Sequence, residues 1–185
     1  MHGEAHQGAM PDTDLLVPAD DSTSTKPAKG PVLPANLEAE AAFLGAVLID
    51  NKVIEELTTP LMAEHFHEPV HQRIYERVLR LLDRNSVATP VTLRPYFEAD
   101  EALKQLSGVT YLAQLTADGQ GLLHPRQLAE QIYDLALLRE LVSVGRNLVE
   151  GALDTSDEVE PLRKIEQAEA DLYRVAEGAS SGNEA

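Results

Sequence analysis

Three histidines and two acidic residues lie close together near residue 70 and could bind a metal. His65, His67 and His71 fall beside Glu64 and Glu68, in a chain that has only 6 histidines. Zinc is bound by three or four such nitrogen and oxygen ligands in a tetrahedral arrangement. One hypothesis is therefore a histidine-dependent metalloenzyme.

The surrounding sequence favours a structural role for the same stretch. His67 and His71 have the spacing that places two side chains on one helix face, but Pro69 lies between them and favours the first helical position. We therefore expect Phe66 to enter the core, His65 and His67 to be solvated, and His71 to make a hydrogen bond near the helix start. No metal, cofactor or catalytic residue is then expected. The resulting core signature is Phe66, His71, Ile74 and Tyr75.

A row of arginines follows on the same predicted helix, at spacings that keep it on one face. It could dock an acidic partner or a neighbouring subunit. The alternative is a solvated face balanced by nearby acids, which is worth little energy. The possible docking face comprises Arg73, Arg77, Arg80 and Arg84.

The composition indicates a helical protein with an aliphatic core. Hydrophobic residues make up 43% of the 185 residues, aromatic residues only 4%, and there is no cysteine. Disulfides and thiolate metal sites are thereby excluded. The net charge is -16, and no part of the chain is basic overall, so direct DNA binding is not expected. No apolar run is long enough to span a membrane and no secretory signal is visible, so we expect a cytoplasmic protein.

Nucleotide-hydrolysing motifs are absent from the sequence. No glycine is followed by lysine, which excludes a phosphate-binding P-loop. The chain alone is therefore not expected to be an enzyme.

The distribution of helix signals predicts an all-α fold with a small globular part and a long antiparallel helical hairpin. Residues 1–33 are rich in Pro, Gly, Ser, Thr and Asp and are expected to form a disordered N-terminal tail. Residues 34–123 should form the helical globular subdomain, in which Asn36 is a plausible N-cap. Residues 124–178 should form the hairpin, with its second helix running from about Pro161 to Glu177. Residues 179–185 would begin a linker or a frayed end.

The predicted hairpin has more apolar surface than one partner helix can cover. The excess could pack on the globular subdomain or pair with another copy of the chain. Residues expected in hairpin packing or the subunit interface are Leu128, Ile132, Leu135, Leu138, Val142, Val149, Leu162, Ile165 and Leu172.

Several short patterns occur in an order and spacing that resemble the N-terminal domain of bacterial replicative DNA helicases, the DnaB family. The opening pattern is carried by Pro34, Asn36, Glu38, Ala39, Glu40, Leu44, Gly45 and Leu48. Further matches are the core signature, Val91-Thr92-Leu93, then Gly108, Tyr111, Leu112 and Leu115, and finally Ala136 to Leu141. Ser107 replaces one family glycine, and Tyr133-Asp134-Leu135 stands where basic residues are common.

This resemblance implies a collar on a hexameric helicase ring, in which hairpins pair between subunits and the helicase-binding domain of primase docks. The family's DNA-unwinding motor, which uses ATP and Mg²⁺, lies in a RecA-like domain after a linker. The expected function is therefore the oligomerisation and primase-docking domain of a replicative helicase in chromosome replication. A free-standing helical adaptor that modulates a helicase ring is the alternative.

Overall fold

The computed structural model describes residues 32–117, 119–156 and 160–181, and every regular element within these ranges is helical. This confirms the all-α prediction, including the long terminal hairpin. Residues 1–31 and 182–185, which hold most of the expected tail and of the expected linker, lie outside the described ranges. The helices are α1 (Leu37–Ile49), α2 (Lys52–Glu55), α3 (Pro69–Asp83), α4 (Pro90–Phe97), α5 (Glu101–Gln105), α6 (Thr110–Leu115), α7 (Pro125–Leu153) and α8 (Pro161–Ser181), with 3-10 turns at Ala63–His65 and Gln120–Leu122.

Local sequence signals account for where the main helices begin. The Asn36 side chain accepts a hydrogen bond from the Ala39 backbone N–H at 3.0 Å and so caps α1. Proline occupies the first position of the four longest later helices, where its missing N–H has no intrahelical partner to lose. These first residues are Pro69, Pro90, Pro125 and Pro161.

The core of the globular part is built around α1, which is buried along most of its length. Its Phe43 ring lies 6.2 Å from that of Phe66 and 5.9 Å from that of Tyr75, and the last two lie 5.0 Å apart. Tilted aromatic contacts at these separations add to the energy of area burial. Aliphatic side chains from α3 to α7 complete the core, among them Ile74, Val78, Leu93, Leu103, Leu112 and Ile132.

Two glycines let other backbone segments approach α1 closely. A Cβ atom on Gly45 would lie 1.9 Å from the carbonyl oxygen of Leu115 at the end of α6. A Cβ atom on Gly121, in the second 3-10 turn, would lie 1.9 Å from the carbonyl oxygen of Ala42. Neither position can therefore hold any other residue without a backbone shift.

The hairpin rests on the globular part only near its base. The buried residues of α7 are Ala129, Ile132, Tyr133 and Ala136, all in its first half. The described part of α8 contains half-buried and exposed side chains, and its half-buried face consists of Ala168, Asp171, Val175 and Ala179. The second helix was expected to end at about Glu177, but α8 continues to Ser181. Gly178 does not end it, and its carbonyl accepts a hydrogen bond from Tyr133 of α7.

Candidate functional site

The hairpin carries several large apolar side chains that are exposed in the described chain. Leu153 and Leu162, near the tip, are 75% and 73% exposed. Exposed apolar surface can mark a protein interaction site. The other exposed members are Leu138, Leu141, Leu148, Val149, Ile165, Leu172 and Tyr173. We call this set the hairpin surface.

The residues that the sequence assigned to hairpin packing or the subunit interface differ in how deeply they are buried. Ile132 is buried, while Leu128, Leu135 and Val142 are half-buried. The exposed members of this set are Leu138, Val149, Leu162, Ile165 and Leu172. The sequence pattern also predicts that Leu162, Ile165, Ala168, Leu172 and Val175 face inward; Ala168 and Val175 are half-buried, whereas the other three are exposed. The half-buried face of α8, centred between Asp171 and Ala179, is turned by roughly 70° from Ile165 and Leu172 at about 100° per residue.

A buried carboxylate near the start of α1 organises the base of the site. Glu40 accepts hydrogen bonds from the backbone N–H groups of His67, at 2.6 Å, and Glu68, at 3.2 Å. Its Oε2 atom also lies 2.7 Å from Nδ1 of His71, whose Nε2 atom lies 2.7 Å from the hydroxyl of Tyr111. The network thus links α1, α3 and α6 through one continuous chain of polar contacts.

The protonation of this network follows from the acidity of Glu40. Burial alone raises the pKa of Glu40, but the hydrogen bonds from His71, His67 and Glu68 outweigh it and hold the pKa below the ordinary value of 4.5. An ionised carboxylate can only accept, so Nδ1 of His71 carries the proton that it donates. The second ring nitrogen, Nε2, makes the hydrogen bond with the hydroxyl of Tyr111.

The remaining signature residues lie in the core. Phe66, Ile74 and Tyr75 are all buried, and burial raises the pKa of Tyr75 to about 12. These three side chains join the globular core, whereas the buried His71 serves the polar network.

The structural interpretation of the histidine segment holds for the buried Phe66 and the hydrogen-bonded His71, but His67, expected to be solvated, is half-buried. His65, expected to be solvated, is half-buried, and its ring packs edge-on against Tyr133 with centroids 4.8 Å apart. The reason is that the 3-10 turn Ala63–His65 lies against α7. Desolvation lowers the pKa of His65, and its Nδ1 atom accepts the backbone N–H of Met62 at 2.9 Å. Within the described residues, no group of three or more His, Asp or Glu side chains is placed to hold a metal ion.

The arginine row mostly contacts its own chain. Arg73 donates two hydrogen bonds to Asp100, at 3.0 and 3.1 Å. The guanidinium of Arg77 lies 4.3 Å above the ring of Tyr96, in a cation–π contact. Arg80 pairs with Glu76 at 2.5 Å on the surface, and the exposed Arg84 ends α3. Intrachain contacts therefore occupy most of the face that the sequence offered for docking.

The junction between globular part and hairpin uses residues that the sequence did not single out for it. Arg139 donates to the carbonyl oxygen of Pro34 at 2.8 Å and to that of His65 at 2.6 Å. The hydroxyl of Tyr133 donates to the carbonyl oxygen of Gly178 in α8 at 2.6 Å. In the sequence, Arg139 stood out only as a member of the family pattern Ala136 to Leu141. Tyr133 stood out only because basic residues are common at that position in the family.

No helix in the described ranges is long and apolar enough to cross a membrane.

Comparison with known proteins gives consistent matches. A family model described as the DnaB-like helicase N terminal domain matches residues 32–134. The replicative DNA helicase DnaB of Rickettsia felis is 39% identical over 145 residues, which cover 78% of this chain and 29% of the helicase. That of Geobacillus stearothermophilus is 28% identical over 149 residues, covering 80% of this chain and 32% of the helicase. The chain thus spans about three tenths of the length of these relatives.

Solved structures show the same fold. The crystal structure of the N-terminal domain of DnaB helicase from Mycobacterium tuberculosis superposes with a TM-score of 0.64 at 26% identity, covering 77% of this chain and 99% of that chain. The structure of a DnaB-like replicative helicase, described together with its interactions with primase, superposes with a TM-score of 0.59 at 24% identity. It covers 76% of this chain and 31% of that one.

Proposed function

Because the chain belongs to the DnaB-like helicase N-terminal domain family, we propose that it pairs subunits and docks primase in a replicative DNA helicase. The hairpin surface is the observation that carries the pairing role. A stable protein interface buries about 800 Å² on each partner, with an apolar centre and a polar rim. An elongated hairpin with exposed leucines, valines and an isoleucine offers such a centre.

The primase-docking role is supported by a structural relative that is described with its interactions with primase. In this proposal the polar network holds α1, α3 and α6 as one rigid platform for the partner, while the hairpin holds copies of the chain together. The net charge of -16 supports contacts with proteins rather than with nucleic acid. DNA unwinding would use ATP and Mg²⁺ in a separate motor domain, at the replication fork in the cytoplasm.

Sedimentation velocity over a range of concentrations tests the pairing role. The wild-type chain should form oligomers as concentration rises. The double variant Val149→Asp, Ile165→Asp should stay monomeric with unchanged helix content, because a carboxylate at the centre of an apolar interface is strongly disfavoured. Ser143→Asp adds a single carboxylate at another exposed position of α7 and should leave association unchanged. Identical sedimentation of the wild type and the double variant would refute pairing through the hairpin surface.

Titration with the helicase-binding domain of primase tests the second role. Calorimetry should detect binding by the wild type and by the monomeric double variant, if docking uses the globular part. Absence of heat with both chains would remove primase docking from the proposal and leave subunit pairing in place.

A further inference from the structure

We propose that Arg139 is a positioning residue that sets the direction in which the hairpin leaves the globular part. This role goes beyond pairing and docking, since it concerns the shape of one chain. We call the set Pro34, His65, Tyr133, Arg139 and Gly178 the hairpin joint. Its members come from four parts of the sequence, and they meet where α7 leaves the globular part.

The central contact is a pair of hydrogen bonds from the guanidinium of Arg139, which we call the fork. It joins two separate backbone segments to α7. One Nη atom of Arg139 bonds the carbonyl of Pro34, just before α1, and the other bonds the carbonyl of His65, just before α3. A planar guanidinium offers its donors in fixed directions, so two simultaneous bonds define an orientation as well as a distance. Desolvation lowers the pKa of Arg139, which agrees with a charge held away from solvent.

Two further contacts, both made by Tyr133, lie next to the hydrogen bonds of Arg139. The ring of His65 packs against Tyr133, one and a half turns of α7 before Arg139, and the hydroxyl of Tyr133 bonds the carbonyl of Gly178. The His65 ring must be neutral at Nδ1, because that atom accepts the Met62 N–H. The joint therefore ties both hairpin helices to the same turn of the globular part.

Arg139 is also the last strong attachment along α7. Among the described residues, the buried positions of α7 end at Ala136, and the helix continues to Leu153. The part beyond Arg139 is about 21 Å long at about 1.5 Å per residue, so a tilt of about 10° at the joint moves the tip by about 4 Å. A displacement of that size would misalign side chains across any surface that the tip contacts.

Distances between spin labels can measure this direction. The chain has 0 cysteines, so labels at Gln105→Cys, at the end of α5, and Ala152→Cys, near the hairpin tip, report only the chosen pair. Both positions are exposed. Labelled chains diluted with unlabelled chains of the same variant give intrachain distances. Repeating the measurement with Val149→Asp, Ile165→Asp removes any constraint from pairing, so failure of the proposed function would not affect the result.

The variants separate positioning from simple stabilisation. Arg139→Met keeps the aliphatic length and should broaden or shift the distance distribution by several ångströms while helix content stays unchanged. Arg139→Lys keeps the charge but lacks the fork, and should also broaden the distribution. Arg146→Met, on an exposed arginine two turns further along α7, should match the wild type. A wild-type distribution in Arg139→Met, or loss of helix content in both Arg139 variants, would overturn the positioning role.

Discussion

Oε2 of Glu40 lies 2.7 Å from Nδ1 of His71, and both side chains are almost completely buried. Because Glu40 also accepts two backbone N–H groups, it satisfies donors that would otherwise be buried without a partner. Glu40→Gln replaces one acceptor oxygen by an NH₂ group that faces those donors. We expect a loss of about 1–3 kcal/mol in the free energy of unfolding, measured by urea denaturation.

The matched control for this change lies two residues away. Glu38 is also in the first turn of α1 but is exposed. Glu38→Gln should change the unfolding free energy by less than about 0.5 kcal/mol. Equal effects of the two substitutions would show that the buried network contributes nothing beyond the helix dipole.

The stability of the protein should fall in acid partly through Glu40. Its pKa in the folded chain lies below the ordinary value of 4.5, so the folded state favours the ionised form. The resulting stabilisation is fully present above pH 4.5 and is lost as the pH falls through the lowered folded-state pKa. The difference in unfolding free energy between wild type and Glu40→Gln should therefore shrink below that pH. A difference that stays constant from pH 7 to about pH 3 would contradict this assignment.

Two glycines in helices should respond in opposite directions to alanine. Gly45→Ala places a methyl group against the Leu115 carbonyl and should destabilise the fold by about 1–3 kcal/mol or more. Gly145, in the middle of α7, has no atom within 4 Å of an added Cβ. Gly145→Ala should therefore stabilise the chain by up to about 1 kcal/mol through helix propensity. Thermal unfolding of both variants checks the prediction, and a stable Gly45→Ala would refute the close contact.

Asp100 should matter more than the exposed acids that also pair with arginine. It caps α5 by accepting the Leu103 N–H at 3.0 Å and it binds Arg73 with both oxygens. Asp100→Ala should cost about 1–2 kcal/mol of unfolding free energy, mostly through the lost cap. Glu76→Ala breaks the exposed pair with Arg80 and should cost less than about 0.5 kcal/mol. Chemical denaturation distinguishes the two, and a reversed order would count against this ranking.

The hydrogen bond from Tyr133 to Gly178 should hold the end of α8 on α7. Tyr133→Phe removes only the hydroxyl and should speed amide hydrogen exchange in the last turns of α8, while the globular core stays protected. Tyr173→Phe removes a hydroxyl from a side chain that is 66% exposed and should leave exchange unchanged. Unchanged protection near Gly178 in Tyr133→Phe would show that other contacts fix this end.

Local sequence signals predicted the helices well. The features that they did not predict depend on partners far away in the sequence. The Asn36 cap and the helix-starting prolines act within a few residues, so their sequence positions sufficed. Glu40 resembled an ordinary acid in a first helical turn, because its partners lie 27 to 31 residues away. His65 was expected in solvent for the same reason, since α7, which covers it, begins only at Pro125. On α8, the half-buried face includes the charged Asp171 and leaves Ile165 and Leu172 exposed, which hydrophobicity alone does not predict.

The outer half of the hairpin, where the described chain buries no residue, has a thermodynamic consequence. Helix propensity alone is a weak source of stability in water, and helices in proteins are stabilised mostly by packing. Any molecule that binds the folded hairpin, including another copy of the chain, adds its binding free energy to the stability of that segment. The melting of the hairpin tip should therefore depend on protein concentration, while the melting of the core around Phe43 should not. Folding of the hairpin tip and association of the chains would then be coupled in a single equilibrium.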